Sequence, residues 1–255
     1  MVTILEAKDV NKYYTVNQNE QQSILKDINL KLQKGEFVSV MGPSGSGKST
    51  LLYNISGMDK VSSGSVYFGG DEISAYPEKE LASLRLNKMG FIFQHIHLLK
   101  NMNMLDNIVL SAYLAKKSSR ESINGRAGEL MKRTGIEQLA AHDITQASGG
   151  QLQRVAICRA LINDPEILFG DEPTGALNSR TTDEIMDILG DIHAAGTTIL
   201  LVTHDVKVAA RSERVLFMMD GRLVGDRHIG KYAKEKDDLK ARESELSGWL
   251  TGMGF

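Results

Sequence analysis

One eight-residue stretch constrains this chain more than any other. Gly42-Pro43-Ser44-Gly45-Ser46-Gly47-Lys48-Ser49 fits G-x-x-x-x-G-K-[ST] at every fixed position. It follows Phe37–Met41, a mostly apolar run expected of a strand buried on both faces, and opens the helical pattern Ser49–Ser56. The glycines of such a loop let successive backbone N–H groups converge on phosphate oxygens, and the helix start adds the positive end of its dipole. Lys48 places a cation against the β- and γ-phosphates, and the Ser49 hydroxyl is positioned for Mg²⁺. The stretch implies a nucleoside triphosphate site built from Gly42, Ser44, Gly45, Ser46, Gly47, Lys48, Ser49 and Thr50.

Around it, short β-rich runs alternate with helical stretches, the pattern of an α/β fold. Val2–Leu5 and Ile28–Leu32 read as strands of an N-terminal antiparallel region, Ser65–Phe68 before Gly69-Gly70 as a hairpin strand, and Phe91–Phe93 as another short strand. From about His95 to Arg159 strand signals vanish and helical periodicity takes over, which marks an inserted helical subdomain. Strands return at Glu166–Phe169, Thr198–Thr203 and Arg214–Met219, with a helix across Thr182–His193. Strand, helix, strand in that order implies crossovers in a parallel sheet. The expected architecture is a P-loop NTPase core with a mainly parallel sheet, an N-terminal antiparallel β region and the helical insertion. Its expected divisions are a core over 1–94 and 160–225, a helical subdomain over 95–159, and a charged extension over 226–255, where Lys231/Glu235 and Asp238/Arg242 at i,i+4 favour a solvated helix.

Composition removes several function classes. The 255 residues carry 30 Lys plus Arg against 32 Asp plus Glu, so the basic excess of a nucleic-acid binder is missing and no nucleic-acid partner is expected. Cys158 is the single cysteine, so no internal disulfide is needed. The most apolar runs, Thr197–Val202 and Val215–Met219, fall far short of the roughly 18 residues of a membrane span. No leader is visible at the N-terminus. A cytoplasmic location is the default expectation, with any membrane span supplied by another chain.

The class of nucleotide chemistry is set further along. An Asn-Lys-x-Asp guanine-reading motif is absent, since Asn87-Lys88-Met89-Gly90 lacks the aspartate. Glu166-Ile-Leu-Phe-Gly-Asp171-Glu172 supplies a strand ending in two adjacent carboxylates. Asp171 can hold Mg²⁺ through water there, and Glu172 just beyond can polarise an attacking water as general base. Ser148 is a good N-cap for a helix from Gly149, with Asn163-Asp164-Pro165 as its stop. A helix start with two glycines and a hydroxyl is a second anion site.

That stretch, Ala147-Ser148-Gly149-Gly150-Gln151, resembles the signature motif of the ABC-type ATPases, usually L-S-G-G-Q. The resemblance spans roughly residues 3–225. It implies two copies paired head to tail, so that Ser148, Gly149, Gly150 and Gln151 of one face the P-loop of the other across a shared ATP. It implies that Gln94, after Phe91–Phe93, is the Q-loop glutamine that reaches Mg²⁺ and the attacking water. It implies that His204 is the switch histidine at the γ-phosphate, and that Tyr14, or its neighbour Tyr13, stacks on adenine, Tyr14 being favoured by its offset in V-x-K-x-Y. Two departures stand out: Ala147 where Leu is usual, and Asn178 in Gly175-Ala-Leu-Asn178-Ser179 where Asp is usual.

Asp171-Glu-Pro-Thr174-Gly-Ala-Leu and Phe91-Ile-Phe-Gln-His-Ile-His-Leu-Leu99 are similar to the branch serving lipoprotein release, macrolide export and antimicrobial-peptide resistance. The implied function is an ATP-hydrolysing subunit, using ATP and Mg²⁺, that dimerises and drives a separate membrane permease from the cytoplasmic face. Rivals are the ATPase of an amino-acid importer, which more often has Ser at Gly175, and a soluble ABC ATPase acting on ribosomes or DNA. The soluble rival is disfavoured by the single cassette and the lack of a long heptad array. A small-molecule kinase would leave the signature and His204 without a role. Cys158 reads as a small buried hydrophobe. His95 and His97 line a partner groove or face solvent, and Trp249, Leu250, Met253 and Phe255 either dock or fray.

Overall fold

The computed structural model describes residues 2–17, 20–233 and 238–254. In chain order the elements are β1 (Thr3–Asn17), β2 (Glu20–Gln33), β3 (Phe37–Met41), α1 (Lys48–Ile55), β4 (Ser63–Phe68), β5 (Asp71–Glu72), α2 (Glu78–Lys88), β6 (Met89–Phe93), α3 (Met104–Ala115), α4 (Arg120–Arg133), α5 (Gly149–Leu161), β7 (Ile167–Asp171), α6 (Ser179–Ala194), β8 (Thr198–Val202), α7 (Val206–Ala209), β9 (Arg214–Met219), β10 (Arg222–His228) and α8 (Leu239–Gly252). The chain forms two compact units: Met1–Leu81 with Thr198–Phe255, and Ala82–Thr197.

The first unit holds the antiparallel sheet β2-β1-β4-β5. Its first two strands are longer than the apolar runs Val2–Leu5 and Ile28–Leu32 predict, continuing through polar residues as far as Asn17 and back from Glu20. β4 pairs with β1 as far as Asn11, and β2 alone pairs with its polar half from Lys12 to Asn17, which keeps that half extended. Register shifts absorb the irregularity, with Asp9 and Asp27 in left-handed conformations.

The same unit contains β3, every residue of which is buried, as the apolar run predicts. β3 pairs in parallel with β8 on one side and β9 on the other, and β10 adds antiparallel to β9. The helix α8 lies on this unit. Leu246 and Leu250 join Met41, Val215 and Phe217 in one apolar cluster, with Trp249 and Met253 packed against it. Gly225 makes room for Trp249, because a Cβ there would stand 2.7 Å from the indole ring.

The expected solvated helix therefore starts later and is partly buried. Arg242 sits among backbone carbonyls, donating to Ala210, Ser212, Ile229 and Gly230 at 2.7–2.8 Å. Of the expected pairs, Lys231/Glu235 falls outside the described residues. Of the four apolar tail residues, Trp249, Leu250 and Met253 dock, and Phe255 lies outside them.

In the second unit β6 and β7 pair in parallel from Met89↔Ile167 to Phe93↔Asp171. Helices α3, α4 and α5 occupy the stretch from which strand signals vanish. α6 buries Thr182, Ile185, Met186, Leu189 and Ile192, one stripe at helical spacing. Among the described residues no helix is long and apolar enough to cross a membrane.

Candidate functional site: two sets of strand ends

In the first unit the candidate loop over 42–50 and the candidate His204 follow the C-terminal ends of adjacent parallel strands. Val40 of β3 pairs with Val202 of β8, so the loop after Met41 and the turn holding His204 leave the sheet at the same end. This is where parallel α/β sheets bind ligands.

The loop backbone is shaped by its glycines. Gly42 has φ +154°, and a Cβ there would stand 2.1 Å from the Met218 carbonyl oxygen, so the strand-to-loop bend has no room for a side chain. Gly47 is left-handed, φ +99°, and caps α1 with no side-chain hydrogen bond. The first helical turn therefore receives no side-chain acceptor from its cap position, where Ser, Thr, Asp or Asn is usual. Lys48 folds across the loop and donates from Nζ to the carbonyls of Gly42 and Pro43 at 2.8 and 2.9 Å. Ser46 knits the loop closed through its N–H to Pro43 and its carbonyl to the Gly221 N–H. Its hydroxyl is buried with no hydrogen-bond partner among the described residues. Ser44 and Gly45 are exposed, and Ser49 and Thr50 occupy the first turn of α1.

His204 sits in a short turn that its neighbours fix. Asp205 N–H donates to the Thr203 hydroxyl at 3.0 Å, and the Asp205 carboxylate caps α7 by accepting from the Lys207 N–H at 2.8 Å. The imidazole itself is exposed.

Tyr14 and Tyr13 are both exposed on β1, at 45% and 38%. They differ in their surroundings: the Tyr14 hydroxyl donates to Asp59 Oδ2 at 2.7 Å, and Lys12 Nζ stands 4.8 Å from the centre of the Tyr14 ring. Burial and the neighbouring Asp59 carboxylate push the Tyr14 phenol up to about 12. Burial works to raise the Asp59 carboxyl, but hydrogen bonds from Lys12 and Tyr14 outweigh it and hold the group below its usual range.

The second unit carries the other residues. Phe93 of β6 pairs with Asp171 of β7, so Gln94 and Glu172 follow at neighbouring strand ends. Glu172 is left-handed, φ +47°. For a non-glycine residue this costs on the order of 1–3 kcal/mol, and strain of this kind gathers at functional sites. Gly175 lies between the two side chains: a Cβ there would stand 2.9 Å from Gln94 Nε2 and 3.2 Å from Glu172 Oε2. The segment after Gln94 is held by Arg159 of α5, which donates to the carbonyls of Ile96 and His97 at 2.8 Å each.

Helix α5 opens with a complete capping box. The Ser148 hydroxyl accepts from the Gln151 N–H, and Gln151 Oε1 accepts from the Ser148 N–H at 2.8 Å. Ser148 and Gly149 are exposed. Gly150 faces α6, where a Cβ would stand 2.4 Å from Thr181 Cγ2. Asn178, the residue that departs from Asp, caps α6 by accepting from the Thr181 N–H at 3.0 Å. An amide oxygen serves that cap as well as a carboxylate does.

The candidate metal donors Ser49, Gln94 and Asp171 offer hydroxyl, amide and carboxylate oxygens. Among the described residues no group of three or more His, Cys, Asp or Glu is arranged to hold a metal. A few hard oxygen donors without a dedicated cage suit Mg²⁺ bound together with phosphates and water. His95 and His97 stand edge to face at 6.3 Å without a completing ligand set. Cys158 is fully buried beside the Thr134 hydroxyl at 3.2 Å, and burial pushes its thiol up to about 11, which makes it unreactive.

Comparison with known proteins turns this geometry into a family assignment. The family model described as "ABC transporter" matches residues 25–175. The chain belongs to the ABC transporter family. It is 44% identical over 226 residues to the macrolide export ATP-binding/permease protein MacB of Hahella chejuensis, covering 88% of this chain and 34% of that protein. It is 46% identical over 212 residues to MacB 1/2 of Paracoccus denitrificans, covering 83% and 32%. The chain thus spans about a third of the length of these curated relatives. Among solved structures, the dimeric ATP-binding cassette MJ0796 in a post-hydrolysis state with ADP and Pi matches with TM-score 0.83 and 39% identity, over 90% of this chain and all of that one. The structure of cbiO1 from Clostridium perfringens, part of the ABC transporter complex cbiONQ, matches with TM-score 0.79 and 31% identity, over 89% of each chain. The α/β fold with an antiparallel N-terminal sheet and a parallel-rich sheet is that of an ATP-binding cassette.

Proposed function

We propose that this chain is an ATP-hydrolysing subunit that pairs with a second copy of itself around ATP and drives a membrane permease from its cytoplasmic face, with export of a lipophilic or peptide substrate as the transport step. The observation that carries the reading is the start of α1: a helix without a side-chain cap, entered through left-handed Gly47, with Lys48 folded over the loop. Backbone N–H groups and one ammonium are what a triphosphate needs there. The export direction is supported by the macrolide-export relatives, whose printed name joins ATP-binding and permease parts in one protein.

In this reading Lys48 and the first turn of α1 hold the β- and γ-phosphates. Tyr14 stacks on the adenine. Glu172 takes a proton from the attacking water, Gln94 orients that water, and His204 contacts the γ-phosphate as charge moves onto it. Ser49, Gln94 and Asp171 would hold Mg²⁺, which when bound neutralises charge on the phosphate oxygens. Ser148, Gly149, Gly150 and Gln151 meet the nucleotide held by the second copy. The capping box keeps Ser148 and the exposed helix start of α5 in one arrangement for that contact. The difference in ATP affinity between closed and open pairs is the free energy available to move the permease.

The test is capture from solubilised host membranes with Glu172→Gln as bait in ATP and Mg²⁺. The reading predicts recovery of one multi-spanning protein. Ribosomal or DNA-repair proteins without a membrane protein would overturn it.

A further inference from the structure

Tyr14 is held by more than its strand. Its hydroxyl donates to Asp59 Oδ2 at 2.7 Å, and Lys12 Nζ stands 4.8 Å from the ring centre. Lys12 in turn is fastened by Asp59 at 2.8 Å and by the Lys60 carbonyl at 2.7 Å. One carboxylate thus ties together the hydroxyl of the ring and the cation against it. The ammonium is nearly buried, its residue 8% exposed, whereas Tyr14 remains 45% exposed. Among the described residues no such fastening holds the ring of the adjacent Tyr13, whose hydrogen bonds run through its backbone to Ser62.

An exposed tyrosine on a strand ordinarily samples more than one rotamer and loses that freedom when a ligand orders it. Here the side chain is fixed at its far end and backed by a cation, with the rest of the ring open to solvent. The geometry points to Lys12 and Asp59 as positioning residues of the base site: they hold the Tyr14 ring in the orientation that receives a purine, so that the ordering cost is met in the fold. This rests on the reading of Tyr14 as the adenine-stacking residue. It also separates Tyr14 from Tyr13 on physical grounds that spacing alone does not offer.

Pre-ordering one side chain is worth about two- to tenfold in affinity, the equivalent of about 0.5–1.5 kcal/mol. The experiment is calorimetric titration of the whole chain with ATP and, separately, with inorganic triphosphate, which has no base to stack. The expected result is that Tyr14→Phe and Asp59→Ala each weaken ATP binding about two- to tenfold, that the double variant is no weaker than the worse single one, and that triphosphate binding is unchanged throughout. Tyr14→Phe binding ATP like the unaltered chain, while Tyr14→Ala binds it more weakly, would overturn the positioning role and leave stacking intact. Unchanged ATP binding in Tyr14→Ala would remove the stacking role itself. Parallel loss of ATP and triphosphate in Asp59→Ala would show a general structural effect and would equally overturn the proposal.

Discussion

Gly150 offers the sharpest test of how the signature helix is held. Its backbone is helical, so an alanine there meets no conformational penalty, and helix propensity by itself favours alanine by up to about 1 kcal/mol. The objection is steric: the new Cβ would stand 2.4 Å from Thr181 Cγ2, with Thr181 Cβ and Oγ1 at 3.7 Å. Threonine is stiff at χ1 and its backbone N–H is engaged by the Asn178 cap, so the start of α5 or of α6 must shift. Overpacking of this kind costs about 1–3 kcal/mol. In a chain of this size that corresponds to a fall in Tm of roughly 2–4 °C for each kcal/mol. Thermal unfolding of Gly150→Ala, Thr181→Ser and the double variant measures the term directly. Thr181→Ser deletes Cγ2 and leaves only ordinary contacts, so the double variant should match or exceed Thr181→Ser alone. A Gly150→Ala chain as stable as the unaltered one, or a double variant less stable than Thr181→Ser alone, would refute the reasoning. A turnover defect that the second substitution repairs would tie the same contact to activity.

Two further substitutions address the strand ends. In the proposed function Lys48 meets the phosphates, so Lys48→Ala, which also removes two fasteners of the loop, should weaken ATP binding by about 1.5–3 kcal/mol; equilibrium titration with ATP checks this, and unchanged affinity would contradict the role of the loop. Arg159→Met removes both donors to the Ile96 and His97 carbonyls, so the segment after Gln94 loosens: turnover should fall while ATP affinity holds, and steady-state kinetics with a parallel binding titration separates the two.

What could be read from the sequence depended on whether a signal was local. The β3–loop–α1 unit is dictated by an apolar run, fixed glycines and a cap position, and it stands where the residues indicate. The α5 start was legible because Ser148 before Gly149 is a good N-cap, and in the structure Gln151 completes the cap. The helix α2 gave no such signal: only Leu81 is buried, and it is supported instead by Glu78 and Glu80 in its first turn and Arg85 and Lys88 in its last. The limits of α8 were obscured because one of its charged residues, Arg242, points inward to carbonyls that sequence cannot show. The fastening of Tyr14 was equally invisible, since Asp59 lies 45 residues away and is brought near only by the fold.

In the proposed function ATP is hydrolysed by water activated on Glu172, and ATP holds two copies together. The most direct measurement is light scattering of Glu172→Gln with ATP and Mg²⁺ after size exclusion, alongside its rate of phosphate release. A stable two-copy species with turnover reduced to a small remnant is the predicted result. A single-copy species that hydrolyses ATP at the rate of the unaltered chain would contradict the account.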